Sequence, residues 1–396
     1  MIHIQVYKRL FFCLFFGTMS TAVAQKSGSD SLNLPELLRT ESGERVKNKA
    51  DWQNARRAEV VKLFEDNVYG QVPKELDSLR FYTKKVQKGV MNGTATLKEV
   101  DIQAYRGGDF VTIRLVLFIP DNTPIAPPVF LLINHRDTTN MDPTRKVKME
   151  FWPAEEIIQR GYAVAAFHVA DVAADNKNTY DQQVLRLYPD QKQAANGMRA
   201  IGAWGWGASR VMDYLVTDAA IDPQRVAVVG HSRGGKAALW CGAQDERFAL
   251  TISNDSGCTG AALSRRMVGE TVKVINTNFP HWFSQVYKTF NDREKELPVD
   301  QHMLIALMAP RAVYVASASE DAWADPVGEF LSVKYAEPVF KLFGLSPLPT
   351  ATQPTIGKAV VSQTLGYHLR PGGHGLTLFD WERYMDFADV YFKKTR

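Results

Sequence analysis

The sequence predicts an α/β fold in which a mostly parallel, doubly wound β-sheet is flanked by helices. Short apolar runs, typical of strands, alternate along the chain with segments of helical periodicity. Most of these runs are continuously apolar, as expected for parallel strands that helices cover on both faces. A chain in which such strands and helices alternate builds a sheet with helices on each side. Binding sites in sheets of this kind lie beyond the carboxyl ends of the strands.

The predicted strands and helices follow one another over most of the chain. One alternating strand covers residues 111–119, and the continuous apolar strands are residues 128–133, 162–167, 225–229, 249–253 and 312–316. Helical periodicity is found at residues 51–67, 153–160, 200–216, 235–243 and 380–393. No internal repeat or low-complexity linker interrupts them, so residues 35–396 are predicted to form a single domain.

The composition is that of a globular protein and argues against some classes of partner. Of the 396 residues, 45% are hydrophobic and 23% are charged, and the formal net charge is +4. A charge this small and this evenly spread argues against nucleic acid or a membrane surface as a partner. We further expect a monomer.

The first residues have the features of an export signal. Lys8 and Arg9 precede an apolar run at residues 10–16, and small residues follow up to an A-x-A site that ends at Ala24. The apolar run is too short to span a bilayer. The pattern predicts a signal peptide at residues 1–24, cleaved after Ala24, and a secreted or periplasmic protein without a membrane segment.

The residues after the predicted cleavage site are polar and small, so residues 25–34 are expected to be a disordered lead-in. Cleavage leaves Cys241 and Cys258, and two cysteines do not make a disulfide framework, although export would permit a bridge. Cys241 lies beside Trp240 on a predicted helix face, which favours a buried free thiol.

The candidate nucleophile is Ser232, in the stretch V-A-V-V-G-H-S-R-G-G-K. The motif G-x-S-x-G, which alone indicates no more than a tight turn, here follows a predicted strand and precedes a predicted helix. In the nucleophile elbow of the α/β-hydrolase fold, the turn closes only if its flanking residues are small. Gly230 and Gly234 meet this requirement. The backbone N–H of Arg233 and the helix N-terminus then suit a developing oxyanion.

The candidate base is chosen by chain order, because in this fold the acid and then the histidine follow the serine. The histidines after Ser232 are His281, His302, His368 and His374. His374 lies in the Gly-rich stretch R-P-G-G-H-G-L-T before the last helix, and such a loop allows a side chain to reach over the sheet. His368 lies in an apolar, strand-like run and is expected to be packed and hydrogen-bonded, and His281 and His302 are expected to be structural.

Two carboxylates are candidates for the acid that orients His374. Asp321 is the first choice, because it follows the predicted strand A-V-Y-V-A, the usual place for the acid in this fold. Its neighbours Glu320 and Asp325 are expected to be solvated loop charges. Asp255, in S-N-D-S-G, follows the strand after the elbow helix and is the alternative. The residues alone do not separate Asp321 from Asp255.

The sequence contains no signature of a metal site or a nucleotide cofactor. No cluster of His or Cys has zinc-ligand spacing. Neither a P-loop nor a dinucleotide-binding fingerprint is present. We therefore expect no cofactor and no bound metal.

The stretch G-H-S-R-G-G-K is similar to G-C-S-R-x-G-K, the signature of the glucuronoyl esterases of carbohydrate esterase family 15. Further segments resemble the bacterial members: A-L-W-C-G-A-Q-D-E-R-F-A-L-T-I-S-N-D-S-G, L-P-V-D-Q-H, A-P-R-A-V-Y-V-A-S-A and G-H-G-L-T-L-F-D-W. The resemblance covers residues 35–396. It implies an α/β-hydrolase fold and a serine esterase acting on glucuronoxylan, at the ester between its 4-O-methyl-glucuronic acid and a lignin alcohol.

The resemblance also implies roles for individual residues. Ser232 matches the nucleophile, His374 the base, and Arg233 an oxyanion donor through its side chain as well as its backbone. The positions that hold the sugar acid correspond to Lys236, Glu270 and Trp323. These side chains suit the task, because they offer a hydrogen-bond donor, an acceptor and a flat apolar face.

The sequence departs from the fungal members of this family at three positions. His231 and Gly375 stand where those members have a pair of cysteines, so that disulfide is absent, as in many bacterial members. Fungal members have a Glu as the acid at the position of Asp255. Both Asp321 and Asp255 therefore remain candidates for the acid that orients His374.

Two other functions remain open at this point. An acetylxylan esterase or another carbohydrate esterase on the same fold would prefer acetyl esters to uronate esters. A non-catalytic carbohydrate-binding protein on a hydrolase scaffold would not need Ser232 and His374, and their presence argues against it.

Overall fold

The computed structural model describes residues 32–121 and 123–394. The predicted signal peptide, residues 1–24, lies outside the described residues, as do residues 25–31 of the predicted lead-in. Within the described part of the chain, no helix is both long and apolar enough to cross a membrane.

Within the described residues, ten strands form one mixed sheet at the centre of the fold. In chain order they are β1 (Ser78–Gly89), β2 (Ala95–Arg106), β3 (Asp109–Pro120), β4 (Val129–Asn134), β5 (Ala163–His168), β6 (Val226–His231), β7 (Leu250–Asn254), β8 (Ala312–Ala318), β9 (Lys358–Val361) and β10 (Leu365–Arg370). Across the sheet the order is β1-β2-β3-β5-β4-β6-β7-β8-β10-β9. The strands from β5 to β10 in this order are parallel, and β1–β3 and β9 pair antiparallel at the two edges. The predicted, mostly parallel sheet is confirmed.

The helices connect the strands and lie on both sides of the sheet. In the described segments they are α1 (Lys49–Asp51), α2 (Arg57–Phe64), α3 (Ala154–Gln159), α4 (Pro189–Gln193), α5 (Ala200–Leu215), α6 (Arg233–Gln244), α7 (Val272–Asn278), α8 (Gln301–Ala306), α9 (Pro326–Leu342) and α10 (Leu378–Lys394). The π-helical turn Trp52–Arg56 joins α1 to α2, and a second one, Glu65–Tyr69, extends α2. Together they form one helical stretch where the sequence predicts a helix at residues 51–67.

Two apolar clusters, one on each face of the sheet, explain the continuous apolar strands. On one face, α5, α6 and α8 contribute buried side chains such as Trp204, Trp240 and Leu304. On the other face, α3 and α10 contribute Ile157 and Trp381. Burial of a large apolar side chain contributes about 1.5–3 kcal/mol, so strands that face both clusters need apolar residues at every position.

Every strand and helix predicted above is present, with its ends within two residues of the prediction. Several elements have no counterpart among those predictions, including strands β1, β2 and β9, the short helices α4, α7 and α8, and the long helix α9. Strand β1 is mostly exposed and rich in lysine, so it lacks an apolar pattern. Helix α9 contains Pro338, which interrupts the pattern of a helix in the sequence.

Strand β6 and helix α6 meet at a tight turn on Ser232. A Cβ atom on Gly230 would lie 2.0 Å from the carbonyl oxygen of Gly234, so residue 230 must have no side chain. Ser232 has φ 55° and ψ −125°, a strained conformation for a residue with a side chain. Its N–H donates to the carbonyl of Asn254 at 2.8 Å, which ties the turn to the end of β7.

Glu329 of α9 holds the loop that follows β7. Its Oε1 accepts hydrogen bonds from the backbone N–H groups of Ser256 at 2.8 Å and Gly257 at 3.0 Å, and its Oε2 accepts one from the Ser317 hydroxyl at 2.6 Å. The side chain is fully buried. Burial raises the pKa of Glu329 to about 7, although these hydrogen bonds act in the opposite direction.

We expect Gly230→Ala to lower the melting temperature, because the added methyl group would overlap the Gly234 carbonyl and overpacking costs about 1–3 kcal/mol or more. Thermal unfolding followed by circular dichroism measures the effect. Gly373→Ala is the matched control, since a Cβ there would meet no atom within 4 Å. Equal melting temperatures for the two variants would contradict the steric requirement.

We expect Glu329→Gln to make the unfolding free energy less dependent on pH. The folded pKa of about 7 lies above the ordinary value of 4.5, so Glu329 favours the native state at low pH. This contribution is lost as the pH rises from about 4.5 to about 7, and glutamine does not titrate. Urea unfolding measured from about pH 4.5 to about pH 7 should show a smaller decline of the unfolding free energy for the variant than for the wild type. In the exposed control Glu382→Gln, the unfolding free energy should decline with pH as it does in the wild type. The same decline in Glu329→Gln would refute the raised pKa of Glu329 as its cause.

Candidate active site

A cavity of about 270 Å³ opens beyond the carboxyl ends of the central parallel strands, where the fold predicts a site. The turn after β6 and the loops after β7, β8 and β10 supply most of its lining. The lining residues are Ser232, Arg233, Lys236, Asp255, Ser256, Gly257, Glu270, Phe279, Trp282, Asp321, Trp323, Ala324 and His374. All eight site residues nominated from the sequence are among them.

Ser232 precedes α6 directly, so its side chain lies next to a helix N-terminus. The first N–H groups of a helix have no intrahelical partner and carry partial positive charge. Among the described residues, the Ser232 hydroxyl makes no hydrogen bond to His374, although both line the cavity. Contacts of this kind are often loose until a substrate is bound.

His374 lies in the loop after β10 and contacts Asp321, which follows β8. The Nδ1–H of His374 donates to Oδ2 of Asp321 at 2.6 Å. The aspartate side chain is buried, whereas that of the histidine is 39% exposed. Because Nδ1 holds its proton in this bond, Nε2 is the nitrogen left to exchange a proton.

Asp255 is bound to the same loop but does not contact the imidazole through a hydrogen bond. Its Oδ2 accepts from Nη2 of Arg370 at 3.1 Å and from the N–H of Gly375 at 3.3 Å. Burial and the nearby Glu329 carboxylate raise the pKa of Asp255 well above its ordinary value. Of the two acids that the sequence leaves open, Asp321 is therefore the one that hydrogen-bonds to His374.

The carboxylates of Asp255 and Asp321 and the imidazole of His374 also have donor types that bind divalent cations. One ligand atom from each lies within 4.8 Å of the others. The sequence predicts one of the two carboxylates beside His374, but not that all three groups meet, because they come from separate loops. Asp321 is hydrogen-bonded to His374, and Oδ2 of Asp255 to Arg370 and to the N–H of Gly375.

Arg233 is fixed beside the serine by Asp175, which lies in the loop after β5. Asp175 binds the guanidinium of Arg233 and also accepts hydrogen bonds from His281 and Trp282. Burial of the Asp175 carboxyl opposes ionisation, but the bonds from His281 and Trp282 and the charge of Arg233 lower its pKa overall. The Arg233 guanidinium also lies over the rings of Trp282, at 4.7 Å, and Phe279, at 5.1 Å.

Lys236 and Glu270 form a buried ion pair in the cavity wall. The Nζ atom of Lys236 lies 3.1 Å from Oε2 of Glu270 and also donates to the carbonyl oxygens of Ser256 and Cys258. An ammonium group has three protons, so all donors of Lys236 are used within the protein. The other carboxylate oxygen of Glu270 has no partner among the described residues and is the acceptor that remains.

Trp323 forms an exposed aromatic wall of the cavity, with 53% of its surface accessible. Its carbonyl accepts a hydrogen bond from the N–H of Glu270 at 3.0 Å. Gly269 has φ +65°, and a Cβ on it would lie 2.3 Å from the same carbonyl oxygen. This glycine therefore allows the two loops to approach closely.

His231 packs under the loop that carries His374, with its ring centroid 4.5 Å from that of His374. Its Nδ1–H donates to Oδ1 of Asn254 at 2.7 Å, and Arg136 lies 3.3 Å from Nε2. Burial and neighbouring positive groups keep the pKa of His231 well below its ordinary value. It is thus a neutral packing residue.

The remaining nominated groups have structural roles. His368 is buried and bonds to Asp380 at 2.8 Å and to Tyr314 at 3.0 Å, which confirms that it is packed and hydrogen-bonded. His302 lies 3.2 Å from the Pro35 carbonyl oxygen. Asp325 is not a solvated charge as expected, because it is buried and forms an ion pair with Arg266. Glu320 is exposed, as expected.

Both cysteines of the described residues, Cys241 and Cys258, are buried and free. The expectation of a buried thiol at Cys241 is confirmed. Burial raises the pKa of the Cys258 thiol to about 12.

Three residues that hold the site together are not predicted from the sequence: Asp175, Glu329 and Arg370. Each acts by contacting a residue far away in the chain, and no local motif marks it. Two signals were available: Asp175 follows the carboxyl end of a predicted strand, where site residues concentrate, and Arg370 begins the Gly-rich stretch that contains His374.

The chain is similar to known proteins over nearly its full length. The model of a family described as fungal glucuronyl esterases matches residues 141–344. The carbohydrate esterase MZ0003, from an unknown prokaryotic organism, is 42% identical over 385 residues, which cover 90% of this chain and 89% of that protein. The 4-O-methyl-glucuronoyl methylesterase of Schizophyllum commune is 26% identical and covers 81% of this chain and 76% of its own length.

Solved structures of similar proteins have the same architecture. A glucuronoyl esterase from Solibacter usitatus has a TM-score of 0.85 and 38% identity, covering 91% of this chain and 98% of its own. A promiscuous family 15 esterase from a marine bacterial metagenome has a TM-score of 0.83 and 41% identity, covering 90% of this chain and 96% of its own. The chain therefore belongs to the glucuronoyl esterases, carbohydrate esterase family 15, and is a carboxylic ester hydrolase with the α/β-hydrolase fold.

Proposed function

We propose that this protein hydrolyses the ester between 4-O-methyl-glucuronic acid of glucuronoxylan and an alcohol of lignin. One observation carries the proposal. A single cavity contains a serine on a nucleophile elbow, a His–Asp pair, a fixed arginine and a buried Lys–Glu pair beside an exposed tryptophan. The serine, the His–Asp pair and the arginine suit acyl transfer. The Lys–Glu pair and the tryptophan suit the binding of a sugar ring.

In the first step, Ser232 attacks the C6 carbonyl carbon of the uronate ester. The proton of its hydroxyl passes to Nε2 of His374, while Asp321 holds Nδ1–H and stabilises the imidazolium that forms. The tetrahedral intermediate collapses when the C–O bond to the alcohol breaks. His374 returns its proton to the leaving alcohol oxygen, and a glucuronoyl-serine ester remains.

In the second step, water hydrolyses the glucuronoyl-serine ester. His374 removes a proton from the water as it attacks, and then protonates the Ser232 oxygen as that bond breaks. The free glucuronic acid leaves and the serine hydroxyl is restored.

Arg233 is proposed to stabilise the oxyanion in both steps. Its backbone N–H is the first of α6, and its guanidinium is held beside Ser232 by Asp175 and two aromatic rings. A donor that is fixed before the reaction costs no reorganisation when negative charge develops on the carbonyl oxygen.

Glu270 and Trp323 are proposed to bind the sugar directly. The unpaired oxygen of Glu270 accepts a sugar hydroxyl, and Trp323 offers a flat face to the ring. Lys236 is proposed to position Glu270, since its three protons are already bound. This differs from the direct donor role that the sequence resemblance implies for Lys236.

We also propose the finer points of organisation that the sequence indicates. Residues 1–24 act as an export signal cleaved after Ala24, and the protein is secreted or periplasmic. Residues 35–396 form a single domain, supported by one sheet with an apolar cluster on each face. The protein acts as a monomer on glucuronoxylan esters and needs no cofactor, metal or nucleic acid.

We expect the wild type to release methanol or benzyl alcohol from methyl or benzyl glucuronate, and Ser232→Ala to lose about 10⁴-fold or more of kcat. The surface control Ser42→Ala should keep wild-type rates. Full activity of Ser232→Ala would refute the mechanism. Release of acetate from acetylxylan orders of magnitude faster than release from uronate esters would instead identify an acetyl esterase. Absence of both activities, without labelling of Ser232 by a serine-reactive phosphonate, would indicate a non-catalytic binding protein.

We expect Asp321→Asn to lower kcat by about 10³–10⁴-fold, because the amide cannot stabilise the His374 imidazolium. Asp255→Asn should cost less than about tenfold, since its amide oxygen can still accept from Arg370. Glu320→Gln, at an exposed neighbouring carboxylate, is the control. A larger loss for Asp255→Asn than for Asp321→Asn would transfer the role of the acid to Asp255.

A further inference from the structure

A solvent-facing patch on the antiparallel edge of the sheet has no role in the proposed reaction. Its residues lie on strands β1, β2 and β3, and together they are called the outer shelf: Arg80, Tyr82, Gln103, Tyr105, Phe110 and Thr112. In the strand pairing, Arg80 is opposite Gln103, and Gln103 is opposite Thr112. Tyr105 is opposite Phe110. Because side chains alternate along a strand, all six lie on one face.

The outer shelf is the uncovered half of a face that is buried elsewhere. On the opposite face of the same strands, Ile102 and Ile113 belong to the core. On the face of the shelf, Leu97 and Phe118 are buried in the cluster under α3 and α10. Towards the other end of these strands the helices no longer cover the sheet, and polar and aromatic side chains replace aliphatic ones.

The aromatic rings of the outer shelf form a broad exposed surface. Tyr82 is 43% and Phe110 is 39% exposed. The rings of Tyr105 and Phe110 lie with centroids 5.0 Å apart and planes 31° apart. Arg80 lies 4.6 Å over the Tyr105 ring. Adjacent aromatic faces of this kind suit flat ligands with apolar faces, such as pyranose rings.

Hydrogen-bonding groups lie beside these rings. The Tyr105 hydroxyl donates to Oε1 of Gln103 at 2.5 Å, and Nε2 of Gln103 lies 3.5 Å from Oγ1 of Thr112. Hydroxyl and amide groups donate and accept, as sugar hydroxyls do. Arg80 forms no ion pair with any residue that the structure describes, so its charge is available to an anion.

The outer shelf lies at the same edge of the sheet as the catalytic cavity. Leu115 of β3 is opposite Phe167 near the carboxyl end of β5, so Phe110 and Thr112 lie beyond that end. Strands β3 and β1 are three and five positions from β6, which carries the elbow. At about 4.8 Å per strand, β3 and β1 lie about 14 and 24 Å from β6 across the sheet. A single sugar does not span this distance, but a polymer does.

We propose that the outer shelf binds the main chain of a linear polysaccharide with uronate side groups, and so holds the polymer whose ester occupies the cavity. The inference rests on the proposed function, which supplies a polymeric, acidic substrate. The aromatic rings contact the sugar faces, Gln103 and Thr112 bind hydroxyls, and Arg80 pairs with a uronate carboxylate. Arg80 is the group that favours this partner over a neutral glycan; Asp101, opposite Tyr82 on the same face, forms no ion pair with Arg80 in the described part of the chain.

The test measures retention of the protein by glucuronoxylan, in affinity gels and by depletion onto insoluble polymer. We expect the double variant Tyr82→Ala/Phe110→Ala to lose about tenfold or more in affinity, since it removes two exposed ring faces. Arg80→Ala should lose affinity for glucuronoxylan but keep it for unsubstituted xylan. The exposed control Ile356→Ala should behave as the wild type. All variants should hydrolyse methyl glucuronate at the wild-type rate.

Several results would overturn the proposal. They are a wild type that glucuronoxylan does not retain, variants that are retained as well as the wild type, and a control with the same loss. A wild-type dimer that the double variant converts to a monomer would assign the shelf to a second copy of the chain instead. Failure of the wild type to hydrolyse methyl glucuronate refutes the proposed function and is a separate readout from retention.

Discussion

The close approach of Gly230 to the Gly234 carbonyl is the steric constraint on which the site depends. It permits β6 to turn directly into α6, and the turn forces Ser232 into a positive φ at the edge of the sheet. The same geometry places the N-terminus of α6 and the Arg233 side chain next to the serine. The positions of the candidate nucleophile, the helix dipole and the candidate oxyanion donor are therefore consequences of one turn, which Asn254 at the end of β7 anchors.

Buried carboxylates organise the loops around this turn. Asp175 fixes Arg233, Glu329 fixes the loop after β7, and Asp255 ties Arg370 to the loop that carries His374. Each accepts several hydrogen bonds, which is how a buried carboxyl group is stabilised. Asp321 has a different environment, since it contacts the partly exposed imidazole. The acids thus divide into those that shape the cavity and Asp321, which contacts His374.

The sequence predicts what short segments determine by themselves. Apolar runs locate the buried strands, and small residues around Ser232 locate the elbow, because both depend on neighbours in the chain. The choice between Asp321 and Asp255 depends on how two loops meet His374, so residues alone leave it open. Strand β1 escapes prediction because its stability comes from pairing with β2, and its exposed side chains carry no apolar period. The role of Lys236 depends on carbonyl groups of Ser256 and Cys258 that only the folded chain brings near.

The pairing of every cation in the cavity wall bears on what happens after the reaction. The ester is uncharged at its acyl group, whereas the product is a carboxylate. A free lysine or arginine in the wall would hold that carboxylate and slow turnover. Lys236 and Arg233 each already contact a carboxylate of the protein, so the newly formed anion meets no unpaired charge and the adjacent Glu270 repels it. From this neutralised wall we expect the acid to leave more readily than it would from a pocket with an unpaired cation.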